Sequence, residues 1–157
     1  MFRKLLIPTD GSALSEKSSK AALAFASATG ASVVGLSVAQ LYPFMLMPEA
    51  GAMVDLGAYE EIQDKTAHEA MQKLQAMARD AGVACEVLST RGVHPYEEII
   101  ATADSKGCDL IWMASHGRKG LDKLLLGSET QRVLAHARIP VLVYRDPDAV
   151  GQQTTAQ

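Results

Sequence analysis

The residues best suited to chemistry are Ala114-Ser115-His116-Gly117-Arg118-Lys119-Gly120 and, after a short gap, Gly127-Ser128-Glu129-Thr130. The apolar run Leu110-Ile111-Trp112-Met113 precedes them and a helical pattern ending near Ala137 follows. A strand therefore opens into a glycine-punctuated basic loop, and the loop opens into a helix. Glycines let a backbone approach a ligand closely, and the free N–H groups of a helix's first turn attract anions. The chemistry implied is phosphate binding, as part of a nucleotide. It is not a Walker P-loop, because no Gly-Lys-Ser or Gly-Lys-Thr occurs.

A second loop, Pro8-Thr9-Asp10-Gly11-Ser12, also closes an apolar run. Asp-Gly-Ser is common turn chemistry. Beside a phosphate cradle, however, the Asp10 carboxylate is suited to holding ribose hydroxyls or Mg²⁺. Ser128 can cap the helix that it opens or bind phosphate, since both roles use the same N–H groups. Arg118, Lys119 and Lys123 add cations, so the loop 117–126 is expected to order around an anion. His116 has no nucleophile or carboxylate partner in a nearby motif, so no catalytic residue is assigned. His94 reads as a loop or cap residue, and His68 and His136 as surface helix residues. Met45, Met47 and Met53 lie in an aperiodic stretch with Tyr42, Pro43, Phe44 and Pro48. That stretch reads equally as loop packing or as an adaptable partner surface.

These loops need elements to position them. Residues 3–8 read as a buried strand and 12–29 as a helix with Leu14, Ser18, Ala21, Ala22, Phe25 and Ala28 on one face. Residues 31–39 form a second strand, and 40–58 lack a period. A helix over 59–81 carries the stripe Ile62, Ala67, Ala70, Met71, Leu74, Met77, Ala78 and Ala81. Strand 83–90 follows, then a helix over 95–106 with Pro95 at its first position and Tyr96, Ile99, Ile100 and Ala103 inward. Strand 109–114, helix 127–137 burying Val133, Leu134 and Ala137, and strand 139–144 complete the alternation. Strict alternation of this kind means an α/β fold: a parallel sheet with helices on both faces. Ligands of such sheets bind beyond the carboxyl ends of the strands, where strand order reverses.

Composition bounds the reading. At 157 residues the chain is expected to form one domain over 1–145 with a polar tail over 146–157. A hydrophobic share of 48% and a charged share of 21% are those of an ordinary globular protein. The formal net charge of −3 lacks the basic footprint of a nucleic-acid binder. Cys85 and Cys108 form no CxxC or Cys/His cluster and read as buried, reduced thiols. The first apolar run stops at Pro8, too early for a signal peptide or a membrane span, so a cytoplasmic location is expected.

Together, Pro8-Thr9-Asp10-Gly11-Ser12, Ser115-His116-Gly117, Leu125-Leu126-Gly127-Ser128 and Ile139-Pro140-Val141-Leu142-Val143 resemble the universal stress protein family over residues 2–145. The resemblance implies a Rossmann-like fold of the adenine nucleotide alpha hydrolase type, with a five-stranded sheet ordered 3-2-1-4-5 along the chain's numbering. It also implies a homodimer, predicted here to form through strand 139–144, whose two faces are both apolar. One branch of the family binds ATP and is marked by Gly-x-x-Gly, nine residues, then Gly-Ser or Gly-Thr. Here Gly117, the nine residues 118–126 and Gly127-Ser128 match, while Ala114 replaces the first glycine. At a strand end with negative φ a methyl is tolerable. By resemblance, Asp10 would contact ribose or Mg²⁺, Pro8 and Thr9 would line the adenine side, and Val38 would touch the base. Met113 and Ala114 would floor the pocket. Gly117, Arg118, Gly127, Ser128 and Glu129 would wrap the phosphates through backbone N–H groups, the Ser128 hydroxyl and the Arg118 charge. The implied function is a nucleotide-gated switch or sensor in stress response. The alternatives are a dimeric interaction module without nucleotide and a slow hydrolase of ATP or AMP.

Overall fold

The computed structural model describes residues 1–41, 56–117 and 126–147. Its elements are β1 (Lys4–Pro8), α1 (Ala13–Thr29), β2 (Ser32–Gln40), α2 (Leu56–Asp80) and β3 (Cys85–Gly92), then α3 (Pro95–Ser105), β4 (Leu110–Ala114), α4 (Ser128–His136) and β5 (Val141–Tyr144). The strands form one five-stranded sheet in the order β3-β2-β1-β4-β5. Every neighbouring pair is parallel. The fold class and strand order are those expected from the sequence.

The period of two in β1 divides the core. Leu5 and Ile7 face one layer and Leu6 the other. On the first face Val33, Leu110 and Trp112 meet Ala22, Leu23 and Ala26 of α1 and Met71, Leu74 and Ala78 of α2. On the second, Val34, Leu36, Ile111 and Met113 meet Ile99 and Ala103 of α3 and Val133 of α4. β1, β2 and β4 are therefore apolar on both sides, as a parallel sheet requires. β3, at the edge, alternates between half-buried and exposed residues.

The helices depart from expectation in which residues they bury. α1 turns Ser15, Ser18, Ser19, Ala22, Leu23 and Ala26 inward. Leu14 is only half-buried and Ala28 is exposed. Ser18 is buried as expected, while Ser15 and Ser19 are buried too, and apolar periodicity does not mark them. In α4, Val133 is fully buried but Leu134 is 42% exposed. Successive helical residues lie about 100° apart, and a helix this short buries a narrow stripe. Ile62, near the start of α2, is 61% exposed as well. Cys108 is buried, as expected, which pushes its thiol up to about 11. Cys85 is half-buried rather than buried. Of the expected tail, Asp146 pairs with Lys17 at 2.6 Å, and residues 148–157 lie outside the described residues. The methionine-bearing stretch 42–55 also lies outside them. No helix among the described residues is long and apolar enough to cross a membrane.

Candidate functional site

The site starts where β1 and β4 end. Thr9 continues β1 by donating its N–H to the Leu36 carbonyl at 2.8 Å. Its hydroxyl lies 2.9 Å from Ser15 Oγ and accepts the Gly11 N–H at 3.2 Å. Asp10 Oδ1 accepts the Ser12 N–H at 3.0 Å, which holds the carboxylate on the inside of the turn. Ser12 then caps α1 by accepting the Ser15 N–H. The Asp-Gly-Ser turn is thus a genuine turn, and it also presents a carboxylate.

Across from it, the start of α4 is clamped to the end of β4. Gly127 N–H donates to the Ser115 carbonyl at 2.8 Å, and Thr130 Oγ1 donates to the Ala114 carbonyl at 3.1 Å. Gly127 is the N-cap residue of α4, and no side chain caps the helix. This corrects one reading of Ser128: it is the first helical residue, not the cap. The first-turn N–H groups have no intrahelical partner by geometry, so this end retains its capacity to bind an anion.

At two glycines a side chain would crowd its neighbours here. A Cβ at Gly117 would come within 2.8 Å of Asp10 Oδ2, and one at Gly127 within 3.1 Å of His116 Cα. Neither glycine has positive φ, so what glycine offers here is close approach rather than backbone freedom.

Between the two loops lies a cavity of about 430 Å³, within the usual range for small-molecule sites. Pro8, Thr9, Asp10, Val38, Met113, Ala114, Gly117, Gly127, Ser128 and Glu129 all line it. Arg118 lies outside the described residues, as does the rest of the loop through residue 125. The cavity also has walls that the sequence reading missed. Gln40 ends β2, Gln63, Thr66 and Ala67 descend from α2, and Pro95 and Ile99 come from α3. The spacing of Gln63, Thr66 and Ala67 places them on one helix face. That was the only sequence signal for them, and it matches an ordinary core stripe equally well.

Glu129 plays a part beyond its backbone. Its Oε2 accepts the Tyr96 N–H at 2.8 Å, capping α3, and its Oε1 accepts from Arg132 Nη1 at 3.0 Å. Arg132 sits over the Tyr96 ring, 5.7 Å from its centroid. The hydrogen bond from Tyr96 Oη to Glu97 raises the Tyr96 pKa. One carboxylate therefore joins the first turn of α4 to the first turn of α3. His116 faces the cavity, with Nδ1 3.3 Å from Ser115 Oγ. Among the described residues no cluster of three or more His, Cys, Asp or Glu could hold a metal ion unaided.

The Universal stress protein family model matches residues 1–145. The chain belongs to the universal stress protein family. It is 35% identical to Universal stress protein MJ0531 of Methanocaldococcus jannaschii over 147 residues, covering 94% of this chain and 84% of that one. Universal stress protein MJ0577 of the same organism is 31% identical over 92% of this chain and 96% of its own length. The solved structure of MJ0577 superposes with a TM-score of 0.72 over 93% of this chain and 97% of that one. A universal stress protein solved in complex with cAMP superposes with a TM-score of 0.66, over 92% of this chain and 97% of that one, but at 19% identity, which speaks to fold alone.

Ala114 is this universal stress protein's departure from the glycine pattern, and its position is conformationally ordinary. It ends β4, and no described residue other than glycine has positive φ. The methyl therefore adds no backbone strain.

Proposed function

We propose that this universal stress protein binds an adenine nucleotide, with ATP and Mg²⁺ as the leading ligand pair, and acts as a nucleotide-dependent switch or sensor. The observation that carries this reading is the cradle itself. An uncapped helix N-terminus faces a carboxylate across a cavity, and at Gly117 and Gly127 even a methyl group would crowd the lining. The fold also occurs in a universal stress protein solved with cAMP. Gly117, Ser128 and the Glu129 N–H would hold the phosphates, with Gly127 lining their place and Arg118 adding charge. Asp10 would hold ribose hydroxyls or share Mg²⁺ with phosphate oxygens, because Mg²⁺ commonly takes one or two carboxylates plus phosphates. Pro8, Thr9, Val38, Met113 and Ala114 would contact base and sugar. Mg²⁺ would neutralise phosphate charge beside Asp10.

Useful rates of phosphoryl transfer need a positioned water or acceptor as well as a cradle. His116 touches Ser115 but shows no carboxylate partner among its described bonds. A binding role therefore fits better than hydrolysis. The second element of the proposal is a cytoplasmic homodimer through β5. That strand is a sheet edge, with Leu142 and Tyr144 packed on one core and Val141 on the other. Exposed edges of this kind are normally covered.

Calorimetry with Mg-ATP tests the reading. About four charge-assisted hydrogen bonds, each worth roughly 1.5–3 kcal/mol, must offset the cost of ordering the ligand. A surplus of about 8 kcal/mol gives a dissociation constant of about 1 μM. No heat and no thermal stabilisation at millimolar Mg-ATP would overturn it.

A further inference from the structure

The cavity has two unlike ends. At one, Gly117, Gly127 and Ser128 surround the α4 N-terminus with backbone groups, which bind phosphate but carry no information about a base. The other lies at the end of β2, by Val38, Ala39 and Gln40. There α2 packs over one face of the sheet and α3 over the other. Ala67 and Ile99 thus bring apolar surface from opposite layers, which suits a flat ring.

We infer that Gln63 of α2, supported by Thr66, reads the edge of the nucleobase and makes this site select a 6-aminopurine over a 6-oxopurine. The inference rests on the nucleotide reading above and names its specificity determinant. Gln63 and Thr66 are one turn apart on α2, both half-buried and both on the cavity wall. Among the described residues neither side chain makes a hydrogen bond. Gln40, by contrast, donates its Nε2 to the Val93 carbonyl, and Tyr59 Oη donates to the Gln40 carbonyl. The side chains with unused hydrogen-bonding capacity at this end are therefore those of the helix, Gln63 and Thr66. A glutamine amide presents a donor and an acceptor side by side. That pattern matches the 6-amino group and N7 of adenine. A 6-oxopurine presents two acceptors at the same edge, and the amide carbonyl is left facing an oxygen. In a partly desolvated site an unpaired polar group costs more than a formed bond gains, so the wrong base is rejected strongly.

The test is calorimetry of the full chain with Mg-ATP and Mg-ITP, which differ at the base only in the 6-substituent and the N1 proton. The wild-type protein is expected to prefer ATP by about tenfold or more, the range for one bidentate base contact. Gln63→Ala and Gln63→Leu, with folding checked by circular dichroism, should each weaken ATP about tenfold, leave ITP nearly unchanged and so erase the preference. Thr66→Val should narrow it partly. If wild type binds ATP but both Gln63 variants keep its preference for ATP over ITP, the assignment to Gln63 is overturned and the nucleotide reading stands. If wild type binds neither nucleotide, both fall together.

Discussion

The two ends of the sheet solve opposite problems with similar residues. At the amino end, Asp109 accepts the N–H groups of Arg3 at 2.8 Å and Lys4 at 3.0 Å. Lys4 Nζ donates to the Lys106 carbonyl at 2.9 Å, and Lys106 pairs with Glu86. Carboxylates and ammonium groups there bond backbone or one another, and the end closes on itself. At the carboxyl end, Asp10 and the α4 N-terminus stand on opposite sides of a cavity, with glycines between them. An aspartate beside backbone N–H groups reaches the neighbouring strand at one end, and faces a cavity where the strands diverge and leave space at the other. Substitutions at the amino end should therefore move stability and leave affinity alone. Those at the carboxyl end should do the reverse.

The largest expected effect is at Gly117. At about 100 times the dissociation constant, a ligand stabilises the fold by roughly 2.7 kcal/mol. For a domain of this size that is a melting shift on the order of 5–10 °C. Gly117→Val should abolish the shift while the apo protein remains folded. A preserved shift would show that the cradle lies elsewhere. At the amino end, Asp109→Ala should cost about 1 kcal/mol by removing the partner of the Arg3 and Lys4 N–H groups, with Mg-ATP affinity unchanged in calorimetry. A matching loss of affinity would mean the two ends are not independent.

The pH dependence sharpens the same contrast. Partial burial pushes the Asp109 pKa up, but hydrogen bonds from Lys4, Arg3 and its own N–H outweigh it and hold the pKa below the usual value. A depressed carboxylate contributes stability that is complete above its unfolded value of about 3.9 and is lost as pH falls through the folded one. Urea unfolding of wild type should weaken over that acid range, and Asp109→Asn should flatten the trend. An unchanged slope would remove Asp109 as its source.

The alternation of strands and helices and the two loops were legible in the sequence because they depend on local signals, whereas the strand order and the residues of the cavity floor followed only from the family resemblance. Apolar runs buried on both faces mark parallel strands. Gly117, Gly127 and the Asp10 turn mark where those strands end. The walls were not legible, because Gln63, Thr66, Pro95 and Ile99 reach the site through helix packing that no local pattern encodes. The same cause hid Ser15 and Ser19 on the inner face of α1. Helix burial follows from how each helix sits on the sheet, and a serine that permits close approach looks polar in the sequence. The side chain of Glu129 was missed as well. Its two partners, Tyr96 and Arg132, lie on different helices, and only one of them is near it in sequence.

A further break is at the β5 edge. Val141→Lys should convert the proposed dimer to monomer in light scattering, with nucleotide affinity little changed. A wild-type protein that is monomeric at micromolar concentration would remove the interface.

The smallest expected effect concerns Glu129, which at the carboxyl end combines the two kinds of role, since it lines the cavity while its side chain holds α3. A negative group beside bound phosphate should oppose binding, yet its carboxylate also fixes Tyr96 N–H and thereby the position of Pro95 and Ile99 on the far wall. The two roles separate by substitution. Glu129→Gln keeps an acceptor for the Tyr96 N–H and removes the charge, so affinity for Mg-ATP should hold or rise slightly. Glu129→Ala removes the acceptor too, leaves the first turn of α3 short of a cap worth about 1 kcal/mol, and should weaken binding several-fold. Adenosine, which has no phosphate, isolates the positioning role. It should bind Glu129→Gln like wild type and Glu129→Ala more weakly. Equal adenosine affinity in all three proteins would show that the link between α4 and α3 does not set the shape of the cavity.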